Sequence, residues 1–249
     1  LEAELNDCTK RFDMGKIFVV GIGPGSLDLI SPRALKSIEE SEVIVGYNTY
    51  IKLVANLIDG KKIIGTGMMG EIDRCKLALD ESKSKVVSII SSGDSGIYGM
   101  AGLILEMLLK IPAEDRPEFE IVPGISSSIV AASILGAPLM NDFATISLSN
   151  LLTPWEIIEK RIESAAVGDF VIALYNPKSH KRVKQIEITQ KILLKYRDPK
   201  TPVGIVTDAS RIGESKIFTT LDKFTSEKIS MTSIVIIGNS QTIIRDEIM

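Results

Sequence analysis

The sequence predicts an α/β protein of two successive units, a mostly parallel sheet followed by a mixed one. Three observations carry that reading. Short apolar runs rich in Val and Ile alternate with amphipathic segments from Gly15 to about Pro138. A second series of apolar runs follows the break "LGAPLMND", with long helical patterns only in its first half. Glycine-bearing loops close several of the strands, where open α/β sheets place ligands. The units expected are therefore 15–138 and 139–249, preceded by residues 1–14.

Residues 1–14, "LEAELNDCTKRFDM", show no strand pattern. They read as an extension, a junction with a missing partner, or an expression remnant. The first strand is "KIFVVG", in which Ile17, Phe18, Val19 and Val20 run into Gly21, Gly23 and Gly25. That run resembles a dinucleotide turn, but Ser26 stands where the third glycine is needed. The helix also starts late: Ser31 followed by Pro32 reads as an N-cap with proline at the first helical position, ahead of "RALKSIEES". The second strand, "EVIVG", ends at Gly46 and Tyr47, not at the acid that would hold an NAD ribose. An NAD-dependent oxidoreductase is thereby disfavoured. "KKIIG", "KVVSIISSG" and "FEIVPG" complete the first set of strands.

In the second unit, strands are expected at "DFATISLS", "DFVIALYNP", "TPVGIVTDAS", "SKIFTTL" and "SIVIIGNS". Helices fall at "TPWEIIEKRIES" and "KRVKQIEITQKILLKY". The last three strands follow one another too closely for helical crossovers, so they should pair partly antiparallel.

Composition narrows the function. The 249 residues are 45% hydrophobic, enough for one large core or two small ones, yet no apolar run is long enough to span a bilayer. A soluble, cytoplasmic protein without a membrane partner is expected. Cys8 and Cys75 have no paired spacing, which fits a reducing interior and no metal site. His180 is the single histidine, so neither a His-rich metal centre nor a Ser-His-Asp triad built elsewhere has support. A formal net charge of −3 argues against a general nucleic-acid binder.

Four loops at strand ends line up as ligand contacts: "GIGPGS", "SSGDSGIYGMA", "VPGISSS" and "LYNPKS". In the second, a helix is expected to open near Tyr98. Each loop alone has a plain reading, because Gly, Asn and Pro end strands in many proteins. Their order and spacing together are specific. With the "VTDAS" strand end they resemble the tetrapyrrole methylase family, which transfers methyl groups from S-adenosylmethionine to porphyrinoid precursors. The resemblance runs from Gly15 to Gly238. Within the family, "GDSGIYGMA", "LSNLLTPWEIIEKRI" and "LYNPKSHKR" are most similar to the corrin-pathway branch that methylates carbon 17 of precorrin-3B or cobalt-precorrin-3 with ring contraction.

That resemblance implies a tetrapyrrole methylase fold, S-adenosyl-L-methionine in the cleft between two α/β domains, a tetrapyrrole substrate and a homodimer. Carried over by position, cofactor contacts fall on Pro24, Ser92, Gly93, Asp94, Ile97, Ser126 and Ser127, with Tyr175 and Ala209 from the second domain. Asp94 suits a ribose hydroxyl or the cofactor amine, and equally a helix N-cap. Ser95 replaces a proline that many relatives carry after the Gly-Asp pair, in keeping with the carbon-17 branch. Tyr47 and Asn48 occupy the region where some relatives carry a proposed base, so that role does not transfer.

Methyl transfer from a sulfonium needs alignment more than an activated side chain. Coupled proton transfers would use a positioned donor, for which Tyr47, Asn48, Asn176 and His180 are the candidates. A macrocycle fringed with carboxylates calls for apolar surface with scattered cations. Lys178, Lys181 and Arg182, with Lys184, could form that rim or a solvated helix face; Lys160, Arg161 and Arg211 are the alternative cations. Trp155 and Met68, Met69, Met100 and Met140 are expected first as packing residues. Relatives acting on a protein or on RNA, and a non-catalytic cofactor-binding module, stay open alternatives.

Overall fold

A computed structural model describes residues 15–249 except Met69, His180 and Lys181. The chain divides into two compact units, the second beginning at Ser127.

In the first unit five strands, β1 (Lys16–Gly21), β2 (Val43–Tyr47), β3 (Lys62–Thr66), β4 (Val86–Ser91) and β5 (Glu118–Val122), form one parallel sheet in the order β3-β2-β4-β1-β5. β1 is an interior strand, between β4 and β5, and apolar on both sides, as a parallel strand covered by helices on both faces must be. Ile17 and Val19 point to one core with Val43, Val45, Val87 and Ile89; Phe18 and Val20 point to the other with Ile44 and Ile90. All these side chains are at most 1% exposed, and each contributes about 1.5–3 kcal/mol by burial. A charged residue at Val19 would break this layer.

Helix α1 (Pro32–Glu40) begins as the sequence predicts: Pro32 is its first residue and the Ser31 hydroxyl accepts the Ala34 N–H at 3.1 Å. With α2 (Asn48–Leu53) it covers the Phe18 face, through Ala34, Ile38 and Ile51. The opposite face carries α3 (Glu71–Glu81) and α4 (Ala101–Leu108), through Cys75, Ala78, Leu79 and Ile104. The neighbouring strands β1 and β4 therefore send their connections to opposite faces. Such a switch point opens a crevice at the carboxyl ends of the strands.

In the second unit, α5 (Ser127–Leu135) precedes β6 (Phe143–Ser147), α6 (Trp155–Val167), β7 (Val171–Tyr175), α7 (Lys184–Leu193), β8 (Pro202–Thr207), β9 (Ser215–Thr220) and β10 (Ser233–Ile237). The strand order is β6-β7-β10-β8-β9. Only β6 and β7 run parallel; β10 pairs antiparallel with both β7 and β8, and β9 with β8. That agrees with the close spacing of the last three strands. Helices α6 and α7 bury Ile158, Ile162, Ile186 and Leu193 against Ile172, Leu174, Ile205 and Val235. Trp155 opens α6 and packs against this cluster, as expected.

Helix α5 packs on β8 and β10, so it counts with the second unit, whereas the sequence places the break later, near Pro138. Gly204 on β8 permits the close approach: a Cβ there would lie 2.5 Å from Leu135 Cδ1. Two further expectations change. α4 starts at Ala101, not near Tyr98, because "DSGIYG" stays a loop in which Tyr98 takes a left-handed φ of 54°. Of the methionines expected as core, Met100 is buried, while Met68 and Met140 are 59% and 81% exposed and Met69 lies outside the described residues.

Candidate functional site

The three glycine loops of the first unit meet at the carboxyl ends of β1, β4 and β5. The Gly23 and Gly93 N–H groups each donate to the other's carbonyl, at 3.1 and 2.7 Å, forming an antiparallel bridge beyond the sheet. Both glycines sit at positive φ, 73° and 69°, which side chains rarely adopt. The Ile22 N–H donates to Ser91 O at 2.9 Å, so the first and second loops are joined twice.

Asp94 joins the second loop to the third. Its Oδ1 accepts the Gly96 N–H at 2.8 Å, and its Oδ2 accepts the Gly124 N–H at 3.0 Å. The buried Ser95 hydroxyl adds a bond to Val122 O at 3.2 Å. A proline at this position could not make that bond. The N-cap alternative for Asp94 is overturned: Met100 holds the N-cap position of α4, without any side-chain cap. The carboxylate instead closes an Asx turn and clamps a neighbouring loop, because "GDSG" turns before the helix begins.

The fit is close enough to exclude any side chain. A Cβ on Gly124 would lie 2.2 Å from Gly93 O and 2.6 Å from Gly21 O, both backbone atoms. The result is a backbone-lined cradle at the switch point. Pro24, Gly93 and Ser126 are buried in it, Ser92 and Asp94 half-buried, and Ile97 is exposed. Each carboxylate oxygen of Asp94 keeps acceptor capacity beyond the one bond it makes, so a hydroxyl or amine can still be received there.

In the second unit, Tyr175 ends β7 and its hydroxyl accepts the Ser128 N–H at 2.9 Å, in the first turn of α5 beside Ser127. Asn176 follows with φ 49°. Its Nδ2 donates to Ser147 Oγ at 3.0 Å, and its carbonyl accepts from Arg182 Nη2 at 2.7 Å. Both its backbone carbonyl and its side-chain Nδ2 thus take part in holding the loop. Arg182 does not belong to the solvated face of α7: it folds back, and its N–H donates to Ser179 O at 3.2 Å. Among the described residues its Nε is buried without a partner, and burial holds its pKa below the usual value. A buried N–H donor left open is costly unless a ligand completes it.

Lys178 is half-buried and Lys184 exposed; His180 and Lys181 lie outside the described residues. Ala209 is buried in the turn after β8, between Asp208 and Ser210 at φ 52° and 54°. Lys160 and Arg161 line a separate groove with Ala144, Thr145 and Ile157, along the open edge of β6. Tyr47 ends β2 half-buried, edge-on to Tyr50 with ring centroids 5.2 Å apart, and Asn48 is exposed. Among the described residues no cluster of His, Cys, Asp and Glu could hold a metal, and no helix is long and apolar enough to cross a membrane.

Arg74 was missed by sequence reasoning. It is 4% exposed at the ends of β2 and β3, where its Nε donates to Thr66 Oγ1 at 2.8 Å and its Nη2 to Gly67 O at 3.1 Å. The available signal was its place in "EIDRCKLAL", in the same stripe as the buried Cys75, Ala78 and Leu79.

Comparison with known proteins bears on these loops. The family of Tetrapyrrole (Corrin/Porphyrin) Methylases matches residues 16–225. The cobalt-factor III methyltransferase of Priestia megaterium is 49% identical over 238 residues, covering 94% of this chain but only 44% of that protein. The probable cobalt-factor III C(17)-methyltransferase of Salmonella typhimurium is 46% identical over 232 residues, 93% of this chain and 95% of that one. The chain thus spans less than half of the first relative and nearly all of the second. Among solved structures, the methyltransferase CobJ superposes with a TM-score of 0.88 at 34% identity, covering 94% of this chain and 98% of that one. The chain belongs to the tetrapyrrole (corrin/porphyrin) methylase family.

Proposed function

We propose that this protein is an S-adenosylmethionine-dependent C-methyltransferase of cobalamin biosynthesis that methylates carbon 17 of cobalt-factor III or its precorrin counterpart. The observation that carries the reading is the cradle in which Gly23, Gly93, Asp94 and Gly124 join three loops at the switch point. The names of the similar proteins supply the substrate class. S-adenosylmethionine, when bound, supplies an electrophilic methyl group.

The chain's own residues bind and orient. Backbone groups around Gly93 and Gly124 present donors and acceptors at a fixed spacing, and Asp94 holds that spacing while keeping acceptor capacity. Arg182, with its open buried Nε, and Lys178 are suited to substrate carboxylates. Ordering the reactants in line supplies a share of the roughly 7–11 kcal/mol available from orientation, so no activated nucleophile is required. Tyr175, Ser127 and Ala209 complete the expected cofactor contacts, and a cytoplasmic homodimer is the working state.

The test is to mix the protein with S-adenosylmethionine and cobalt-factor III and follow the product by mass spectrometry. Gain of one methyl group at carbon 17 supports the reading. Methylation of a protein or RNA substrate with no reaction on any tetrapyrrole would overturn the corrin assignment while keeping the family.

A further inference from the structure

The first unit holds a buried cation that none of the roles above uses. Arg74 leaves α3 inside the apolar stripe and reaches the carboxyl edge of the sheet, where β2 and β3 end side by side at Tyr47 and Thr66. Its three bonded N–H groups meet only neutral acceptors: Thr66 Oγ1, Gly67 O and, through Nη1, the Met100 thioether at 3.6 Å. A thioether is a weak acceptor, and a guanidinium has five N–H groups, so both terminal nitrogens retain a donor. The guanidinium carbon lies 5.9 Å from the centre of the Tyr47 ring, which supplies only quadrupole attraction. Among the described residues no carboxylate forms an ion pair with it, Glu71 one turn earlier on α3 included.

A charge buried at 4% exposure without a counter-ion is expensive for a fold to keep. A purely structural clamp on Thr66 and Gly67 could be built from neutral donors at lower cost. The neighbours also place this cation beside the loop after β4, since Met100 is the residue that opens α4. We propose that Arg74 is a carboxylate-binding residue of the substrate site: a carboxylate of an anionic ligand takes the place of the Met100 thioether at Nη1 and forms the ion pair that none of the described residues provides. The inference rests on the reading of this protein as an enzyme of a polycarboxylate macrocycle and assigns one of the contacts that reading needs.

The experiment compares wild type with Arg74→Gln and Arg74→Lys in three measurements: KM for cobalt-factor III, Kd for S-adenosylhomocysteine by calorimetry, and thermal melting. Arg74→Gln should raise KM by at least ~30-fold, the scale for removing one partner of a buried charge pair, with Kd for S-adenosylhomocysteine within twofold of wild type. Arg74→Lys keeps the charge but not the fork, so its KM should fall between the two. The salt dependence of KM should be shallower in Arg74→Gln than in wild type. An unchanged KM in a folded Arg74→Gln protein overturns the proposal. So does a parallel loss of cofactor affinity, substrate affinity and melting temperature in both variants, or failure of both to fold, since a loop clamp predicts that. If wild type does not methylate the macrocycle, the functional reading fails and this assignment with it; turnover by wild type with unaltered variants sinks the assignment alone.

Discussion

Replacing Asp94 by alanine tests the loop clamp directly. The change removes the acceptors of two backbone donors, Gly96 N–H at 2.8 Å and Gly124 N–H at 3.0 Å. Gly96 is exposed and its N–H rehydrates at small cost, whereas Gly124 is half-buried among the carbonyls of Gly21 and Gly93. A bond to a charged group contributes about 1.5–3 kcal/mol, so the two together should cost roughly 2–3 kcal/mol once rehydration is allowed for. If that energy holds the cradle in its binding geometry, Kd for S-adenosylhomocysteine rises roughly 30- to 150-fold. If it holds the folded state as well, Tm falls by roughly 4–12 °C. Calorimetric titration and a melting curve on the same preparation read both. Asp94→Asn should resemble Asp94→Ala at the Gly124 contact, because one amide position becomes a donor facing a donor. An Asp94→Ala protein with Kd within twofold of wild type and unchanged Tm would refute the reasoning, since neither bond would then matter.

Gly124→Ala should abolish cofactor binding or folding, because its Cβ would lie 2.2 Å from Gly93 O and no flexible side chain can yield there; titration with S-adenosylhomocysteine checks it, and wild-type affinity would contradict the packing. Arg182→Gln should weaken macrocycle binding about tenfold or more while leaving the cofactor titration alone, measured as KM against Kd; equal losses in both would make Arg182 a brace for Asn176 only. Cys75 is 0% exposed and burial pushes its thiol up to about 12. Its folded pKa lies above the unfolded one, so the fold keeps the thiol neutral, and that contribution is lost as pH rises past the unfolded value. Maleimide should therefore not label Cys75 at pH 8 until denaturant is added, with the labelled peptide identified so that Cys8 is read separately, and rapid labelling of Cys75 in the native protein would count against its buried environment.

The order of strands and helices was legible from the sequence because each is set by local chemistry. β1 reads as a strand buried on both faces from the run Ile17–Val20, and α1 starts at Pro32 because Ser31 supplies the cap. The antiparallel pairing of β8, β9 and β10 followed from connections too short for a crossover. The glycines of the three loops were visible, and their pattern resembled one family. Why they must be glycine was not visible, because the Cβ of residue 124 would collide with atoms 31 and 103 positions away in the chain, at Gly93 and Gly21.

Only the tertiary structure decided what the polar residues of the site do. Asp94 precedes a helix and has the composition of a cap, yet its second oxygen finds the Gly124 N–H, a donor that parallel pairing of β4 and β5 with β1 brings within reach. Arg182 sits in a basic run that reads either as a carboxylate-binding rim or as a solvated helix face, and only the fold shows it turning back onto the Asn176 carbonyl. Arg74 carries no motif at all, and its meaning arises from the absence of a carboxylate among neighbours contributed by β2, β3 and the loop after β4. Helical and strand periodicity report which face of an element is buried. They carry no information about the partner on the other side, and a buried charge is defined by that partner.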